Sequence, residues 1–189
     1  MKCIIVEGPQ GSGKTTLVNY LREKTSTVNL YRLTGSNDKG ISGKEKSKKM
    51  YYALLDYMKQ IEDSEVNLLF DRMFFSDYVY SRLGYKEYDF SDIYEELLKR
   101  LEHLHYSSFY ISLYLKDTSL YEERLKRDHH HFYQAFSLEN SINQQKMYHS
   151  LIPRIQKLAN TTVYEIAMDD FALAYEQINT IFAIENGKK

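Results

Sequence analysis

The stretch that most constrains the fold is the run EGPQGSGKTT near the start of the chain. It spaces Gly8, Gly13, Lys14 and Thr15 as glycine, four residues, glycine, lysine and threonine. An apolar run (CIIV) precedes the stretch and an amphipathic segment follows it, so it predicts a loop that joins a strand to a helix. Backbone N–H groups of such a loop converge on phosphate oxygens, and the positive end of the helix adds to the attraction. We therefore expect the loop to bind a nucleoside triphosphate.

Each residue type in this loop has a chemical role. The glycines let the backbone bend closely, the lysine reaches the β- and γ-phosphates, and the threonine hydroxyl is placed to ligate Mg²⁺. The expected nucleotide-binding residues are Gly8, Gly11, Ser12, Gly13, Lys14, Thr15 and Thr16.

Composition narrows the class of protein. The 189 residues carry a formal net charge of −1, so no overall positive field attracts nucleic acid or an anionic membrane. No apolar run approaches the roughly 20 residues that a membrane-spanning helix needs. The single cysteine, Cys3, lies in the first apolar run and is expected to be a small buried residue. We therefore expect a cytoplasmic protein made of one domain, residues 1–189.

Strand-like and helix-like segments alternate along the chain. Apolar, strand-like segments lie at 3–6, 28–33, 66–70, 109–115 and 162–166. Helical periodicity or helix signals mark 14–23, 44–61, 76–83, 92–104, 119–127, 142–159 and 169–184. Such alternation is typical of a parallel sheet that is covered on both faces. We expect an α/β fold with three layers, α/β/α, around a five-stranded parallel sheet.

Three local patterns predict details of the helices. Asp92 with Glu95, and Ser119 with Glu122, have the spacing of capping boxes. Pro153 is expected to kink or divide the helix in which it lies. The basic run KEKSKK at 44–49 is expected to form the exposed first turns of a helix.

A strand that ends in an acidic residue predicts the second part of the site. The segment VNLLFD ends at Asp71, where a carboxylate can help Thr15 to hold Mg²⁺. An ordinary turn aspartate is the alternative. The expected metal-binding residues are thus Thr15 and Asp71.

The segment that follows, DRMFFSDYVYSRLGY, resembles signatures of known kinases. Asp71, Arg72, Ser76 and Tyr80 resemble the DRYxxSxxAY signature of thymidylate kinases, with Val79 where alanine is usual. The same stretch resembles the ERSxxSD signature of deoxynucleoside kinases, and EGPQGSGKTT is similar to the EGxxGxGKTT start of the same superfamily. The resemblance implies a P-loop kinase that uses ATP and Mg²⁺ to phosphorylate a small-molecule nucleotide.

The resemblance also implies roles for single residues. An arginine directly after the strand-ending aspartate, here Arg72, presents a planar fork to a phosphate. Arg124 and Arg127 stand where these kinases carry the arginines of a lid, at about 124–141, which neutralise charge on the transferred group. The alternative is a solvated helix in which Glu122 and Glu123 pair with basic neighbours. The expected catalytic residues are Lys14, Asp71, Arg72, Arg124 and Arg127, and the expected substrate-binding residues are Gln10, Arg32, Arg72, Ser76 and Tyr80.

Departures from the two signatures bear on the acceptor. Deoxynucleoside kinases usually carry an E-P-x-x-x-W element whose glutamate takes the proton from a 5′-hydroxyl, but this chain reads YRLTGSND there and has no tryptophan. A monophosphate oxygen is already ionised near neutral pH and needs no such base. The sequence therefore favours a nucleoside monophosphate, as in thymidylate kinases, whose REPG element the region resembles through Arg32 and Gly35. Gln10 stands where those enzymes often carry an acid that contacts the acceptor sugar.

Other functions stay open or are disfavoured. A deoxynucleoside kinase with Asp71 as base stays open, and so does an ATP-binding module without kinase turnover. A GTPase is disfavoured because the chain has no N-K-x-D motif, and a motor-type ATPase is disfavoured because Arg72 stands where its catalytic glutamate is expected. His129–His131 have no assigned role, since three consecutive histidines do not all face one ion. The kinases that the sequence resembles are often homodimers, so the resemblance also implies that this protein can form a homodimer.

Overall fold

The computed structural model of the protein describes residues 1–25, 28–33, 36–127 and 136–183. The strands in these ranges are β1 (Lys2–Glu7), β2 (Val28–Arg32), β3 (Asn67–Asp71), β4 (Ser107–Tyr114) and β5 (Thr161–Ala167). The helices there are α1 (Lys14–Lys24), α2 (Ile41–Ile61), α3 (Phe74–Arg82), α4 (Ser91–Glu102), α5 (Leu120–Arg127), α6 (Leu138–Ile155) and α7 (Phe171–Phe182). The strands form one sheet in the order β2-β3-β1-β4-β5, and every pair is parallel. The predicted five-stranded parallel α/β fold is confirmed.

The central strand β1 shows how the two faces of the sheet are covered. Its successive side chains point to opposite faces. Cys3 and Ile5 belong to a core with α2, α3, α4 and α6, whereas Ile4 and Val6 belong to a core with α1 and α7. Cys3 is fully buried as predicted, and burial raises the pKa of its thiol to about 12. The sheet is therefore the middle of three layers.

The strand order also places a site. The chain passes from β1 outward to β2, returns to β3 beside β1, and then crosses to β4 on the other side of β1. In open parallel sheets, ligands bind at the carboxyl ends of the strands where the order changes direction in this way. Val6 and Arg32 both lie opposite Asp71 in the strand registers. The ends of β1, β2 and β3 therefore bring the glycine-containing loop, Arg32 and Asp71 to one edge.

The Asp92–Glu95 capping box is wrong. Helix α4 begins at Ser91 and its N-terminus receives no side-chain cap. Asp92 instead pairs with Lys44 at 3.0 Å, and Glu95 accepts a hydrogen bond from Arg154 at 2.6 Å. Partners on other helices have displaced the local contact.

The second capping box is wrong as well, and so is the predicted division of the helix at Pro153. The Ser119 hydroxyl donates to Asp117 at 2.6 Å, and Glu122 pairs with Lys126. Helix α6 runs through Pro153 and ends at Ile155, so the proline lies in its last turn and does not divide it. The basic run at 44–49 does lie in the first turns of α2, as predicted. Among the described helices, none has the length and apolar character needed to cross a membrane.

Candidate functional site

The loop between β1 and α1 owes its shape to glycine. Gly8, Gly11 and Gly13 have φ values of +148°, +76° and +91°. Residues with a Cβ rarely adopt such values. At Gly8 a Cβ would also stand 2.7 Å from the carbonyl oxygen of Leu113 on β4. Gly13 is the residue that caps α1, so the loop leads directly into the positive end of that helix.

Lys14 and Thr15 begin α1 beside the end of β3. The Lys14 side chain is buried, and its ammonium lies 2.5 Å from the carbonyl oxygen of Pro9. The Thr15 Oγ1 lies 3.5 Å from Asp71 Oδ2, and Arg32 Nε lies 3.8 Å from the same carboxylate oxygen. Two oxygens bound to one octahedral Mg²⁺ at ~2.1 Å stand roughly 3–4 Å apart. Thr15 and Asp71 therefore fit a shared magnesium ion.

Arg72 follows Asp71 in an unusual conformation. Its φ is +72°, in the left-handed region that residues other than glycine seldom occupy. Its backbone N–H donates to the carbonyl oxygen of Val6 at 3.1 Å. Its guanidinium Nη1 lies 3.3 Å from the hydroxyl oxygens of both Ser76 and Tyr80 on α3. The Ser76 side chain is itself buried, and its hydroxyl donates to Glu7 Oε2.

Glu7, the last residue of β1, is a buried carboxylate that the sequence reasoning missed. It accepts hydrogen bonds from the Met73 backbone N–H at 2.6 Å and from the Ser76 hydroxyl at 2.7 Å. Burial raises its pKa to about 7, against the opposing effects of the Ser76 hydrogen bond and the Arg72 charge. A signal was present, because a glutamate ends an otherwise apolar central strand.

Gln10 joins the loop to two helices. Its side-chain Nε2 donates to the Tyr80 hydroxyl at 2.6 Å, and its backbone N–H donates to Gln144 Oε1 at 2.9 Å. Gln144 is fully buried on α6, and Tyr148 on the same helix lies 2.8 Å from the Ser76 hydroxyl. The sequence reasoning did not find these two α6 residues, whose partners are far away along the chain.

The two arginines of α5 have different surroundings. Arg124 donates to the Met168 carbonyl at 2.8 Å, and its guanidinium lies 5.1 Å from the centre of the Phe171 ring. Arg127 lies 3.5 Å from Glu123, with about two thirds of each side chain exposed. The surface pairing weighed for this helix is thus present at Arg127. Residues 128–135 of the expected lid, with His129–His131, lie outside the described residues.

These elements surround a cleft of about 670 Å³. The described residues that line it are Gln10, Gly11, Gly13, Lys14, Thr15, Thr16, Arg32, Leu33, Asp71, Arg72, Arg124, Arg127 and Phe171. Among them are five basic side chains and one carboxylate. The structure thus brings the expected catalytic residues to one strongly positive cleft, whereas Ser76 and Tyr80 contact Arg72 without lining the cleft. Leu33 and Phe171 are further lining residues that the sequence reasoning did not name.

Comparisons with known proteins place the fold. No protein-family model matches the sequence, and no curated sequence matches it. A structure of deoxyadenosine kinase from M. mycoides with the products dCMP and dCDP bound is similar, with a TM-score of 0.62, 18% identity and coverage of 98% of this chain and 100% of that chain. The same enzyme with bound dCTP has a TM-score of 0.61 and 18% identity, covering 97% of this chain and 100% of that chain.

Thymidylate kinase from Candida albicans is similar too, with a TM-score of 0.68, 13% identity and coverage of 96% of this chain and 91% of that chain. At these identities the likeness concerns the fold. The chain has the P-loop kinase fold and resembles both thymidylate kinases and deoxynucleoside kinases in it.

Proposed function

We propose that the protein is a nucleotide kinase that transfers the γ-phosphate of ATP to a (deoxy)nucleoside monophosphate. The observation that carries the proposal is the cleft, in which five basic side chains face one carboxylate. Two phosphate-bearing substrates in one site bring several negative charges together, and cationic side chains that surround the transferred group neutralise them.

The donor side of the cleft is the glycine-containing loop with the start of α1. Gly8 to Thr16 hold the triphosphate, and Lys14 contacts its β- and γ-phosphates. Thr15 and Asp71 would hold Mg²⁺, which supplies charge neutralisation at these phosphates when it is bound. Arg124 and Phe171 lie beside the loop, where a guanidinium above an aromatic ring offers a planar surface to the donor base.

The acceptor side is centred on Arg72. Arg72 lines the cleft at the end of β3, and the fork of its guanidinium binds the acceptor phosphate. Gln10 and Arg32 line the cleft with Arg72. Tyr80 bonds to both Gln10 and Arg72, and Arg127 of α5 neutralises charge on the transferred phosphoryl group. Catalysis consists mainly of alignment and charge neutralisation.

The single carboxylate among the described lining residues favours a monophosphate over a nucleoside acceptor. A 5′-hydroxyl needs a positioned base. Asp71 is the one carboxylate among the described lining residues, and it lies near Thr15 and Arg32. In the proposed site it holds Mg²⁺ together with Thr15, which leaves no described lining carboxylate to act as the base. A deoxynucleoside kinase remains the second candidate because the M. mycoides neighbours are deoxyadenosine kinases whose whole length aligns with this chain.

An ADP-release assay across nucleosides and (deoxy)nucleoside monophosphates tests the proposal. We expect turnover with at least one monophosphate and none with the matching nucleoside. Arg72→Ala should lower kcat/KM for that monophosphate by about 100-fold or more, since a charged hydrogen-bond pair is lost, while ATP affinity changes little. Turnover with nucleosides alone would support the deoxynucleoside kinase. ATP binding without any turnover would support a nucleotide-binding module.

A further inference from the structure

The Glu7 carboxylate has no direct role in the proposed binding of the phosphates. Its side chain is fully buried behind the cleft and does not line it, so it does not contact a bound nucleotide. A buried carboxylate is expensive unless other groups compensate it. Its two hydrogen-bond donors, the Met73 N–H and the Ser76 hydroxyl, belong to the turn that carries Arg72 and to the first part of α3, and the charges of Arg72 and Lys14 also favour its ionised form.

Two neighbouring N–H groups attach this turn to β1. The Arg72 N–H bonds to the Val6 carbonyl oxygen at 3.1 Å, and the Met73 N–H bonds to Glu7 Oε1 at 2.6 Å. Arg72 has a positive φ, which persists in a residue with a Cβ only when surrounding contacts hold it. Glu7 therefore supplies one of the two strand contacts that hold the turn in this conformation.

The Ser76 hydroxyl extends the contact from Glu7 to the guanidinium. A hydroxyl has one hydrogen to donate and two lone pairs to accept. The Ser76 hydrogen points to Glu7 Oε2, which is 2.7 Å away, and above its pKa of about 7 the ionised Glu7 can only accept. The Ser76 oxygen then accepts from Arg72 Nη1 at 3.3 Å and from the Tyr148 hydroxyl at 2.8 Å. The negative charge of Glu7 thus makes the Ser76 oxygen a stronger hydrogen-bond acceptor for Arg72.

We propose that Glu7 is a positioning residue that holds the Arg72 guanidinium toward the acceptor phosphate, through the Met73 N–H and the Ser76 hydroxyl. The part that concerns the acceptor phosphate rests on the proposed function. The placement of the guanidinium stands on the contacts alone, so the two can be tested separately.

Glu7→Gln tests the proposal with little change of shape. The amide oxygen can still accept from the Met73 N–H, but the amide NH₂ donates to Ser76 and the negative charge is gone. At about pH 8, above the Glu7 pKa of about 7, we expect kcat/KM for the acceptor to fall by about 10- to 100-fold, as for loss of a hydrogen bond to a charged group, with KM for ATP within about twofold of wild type. Glu62→Gln is the matched control, because Glu62 is buried and bonds to the His105 N–H away from the cleft.

A readout without turnover keeps the inference independent of the enzyme assay. In ¹⁵N spectra of arginine side chains, the Arg72 Nε–H signal can be assigned from its loss in Arg72→Lys. We expect this signal to move and broaden in Glu7→Gln and to stay in place in Glu62→Gln. If thermal unfolding shows that Glu7→Gln does not fold, Ser76→Ala replaces it. That variant removes the hydroxyl between Glu7 and Arg72, and it should likewise lower acceptor kcat/KM and move the Arg72 signal.

The outcomes separate the inference from the proposed function. An unchanged Arg72 signal in folded Glu7→Gln overturns the positioning role, as does wild-type kcat/KM for an acceptor that the wild-type protein phosphorylates. A changed signal in a protein that phosphorylates no acceptor would uphold the positioning role and refute the proposed function.

Discussion

The loop after β1 and the turn after β3 both contain residues with positive φ, yet they are held in different ways. In the loop, Gly8, Gly11 and Gly13 adopt these values without strain, because glycine has no Cβ. In the turn, Arg72 has a Cβ and still adopts φ +72°. Hydrogen bonds from this turn to Val6, Glu7 and Ser76 hold it in that conformation. The donor side thus depends on backbone freedom, and the acceptor side depends on a buried group of side chains.

Gly8→Ala is the strongest test of the backbone side of this comparison. The new Cβ would stand 2.7 Å from the Leu113 carbonyl oxygen, in addition to the strain of φ +148°. We expect a loss of about 2–4 kcal/mol in the free energy of unfolding and loss of measurable ATP binding. Chemical denaturation and nucleotide titration check both.

Gly84→Ala is the control for the strain alone. Gly84 has φ +74°, and a Cβ there meets nothing within 4 Å. We expect it to lower the free energy of unfolding by about 1 kcal/mol and to leave ATP binding unchanged. If both variants lost the same free energy of unfolding, the close approach of Gly8 to β4 would contribute nothing to the loss in Gly8→Ala.

The pH dependence of stability tests the side-chain group. The pKa of Glu7 is raised to about 7 from an ordinary value of 4.5, so the folded protein keeps the carboxyl protonated where the unfolded chain ionises it. Its contribution to stability is therefore present below about pH 4.5 and is lost as the pH rises to about 7 and beyond. One pKa unit corresponds to about 1.4 kcal/mol, so the loss amounts to at most a few kcal/mol.

Glu7→Gln has no such titration. We expect the variant to gain free energy of unfolding relative to wild type between pH 5 and pH 8, even though its activity falls. The control again is Glu62→Gln. The Lys59 hydrogen bond lowers the pKa of Glu62 from 4.5, so its contribution to stability is lost only as the pH falls below about 4.5, and this variant should change in parallel with wild type between pH 5 and pH 8. Denaturation curves at the two pH values would contradict this account if Glu7→Gln and wild type changed in parallel.

Tyr148→Phe should have a smaller effect on acceptor turnover than Glu7→Gln. It removes the hydroxyl that lies 2.8 Å from Ser76 and leaves the Glu7 and Arg72 contacts in place. We expect a decrease of about 1 kcal/mol in the free energy of unfolding and a decrease of a few-fold in acceptor kcat/KM. A decrease as large as that of Glu7→Gln would show that α6, rather than β1, holds Arg72 in position.

The fold was predictable because its signals are local. Apolar strand-like segments, helical periodicity and the strand–loop–helix pattern lie within short stretches, and they gave five parallel strands near their observed positions. The Asp92–Glu95 capping prediction failed for the same reason, since a local rule does not include distant partners, whereas Ser119 and Glu122 found other partners close along the chain. Asp92 pairs with Lys44, which is 48 residues away, and Glu95 with Arg154, which is 59 residues away.

The sequence by itself determined the glycine loop, the acid that ends β3 and the arginine that follows it, because each needs a particular residue type in a particular local conformation. Tertiary structure alone decided which side chains meet behind them. Glu7 reaches Met73 across 66 residues, and Gln10 reaches Gln144 across 134. Such contacts leave no periodic trace along the chain, because they arise only when parallel strands and the helices that cover them bring distant residues to one edge of the sheet.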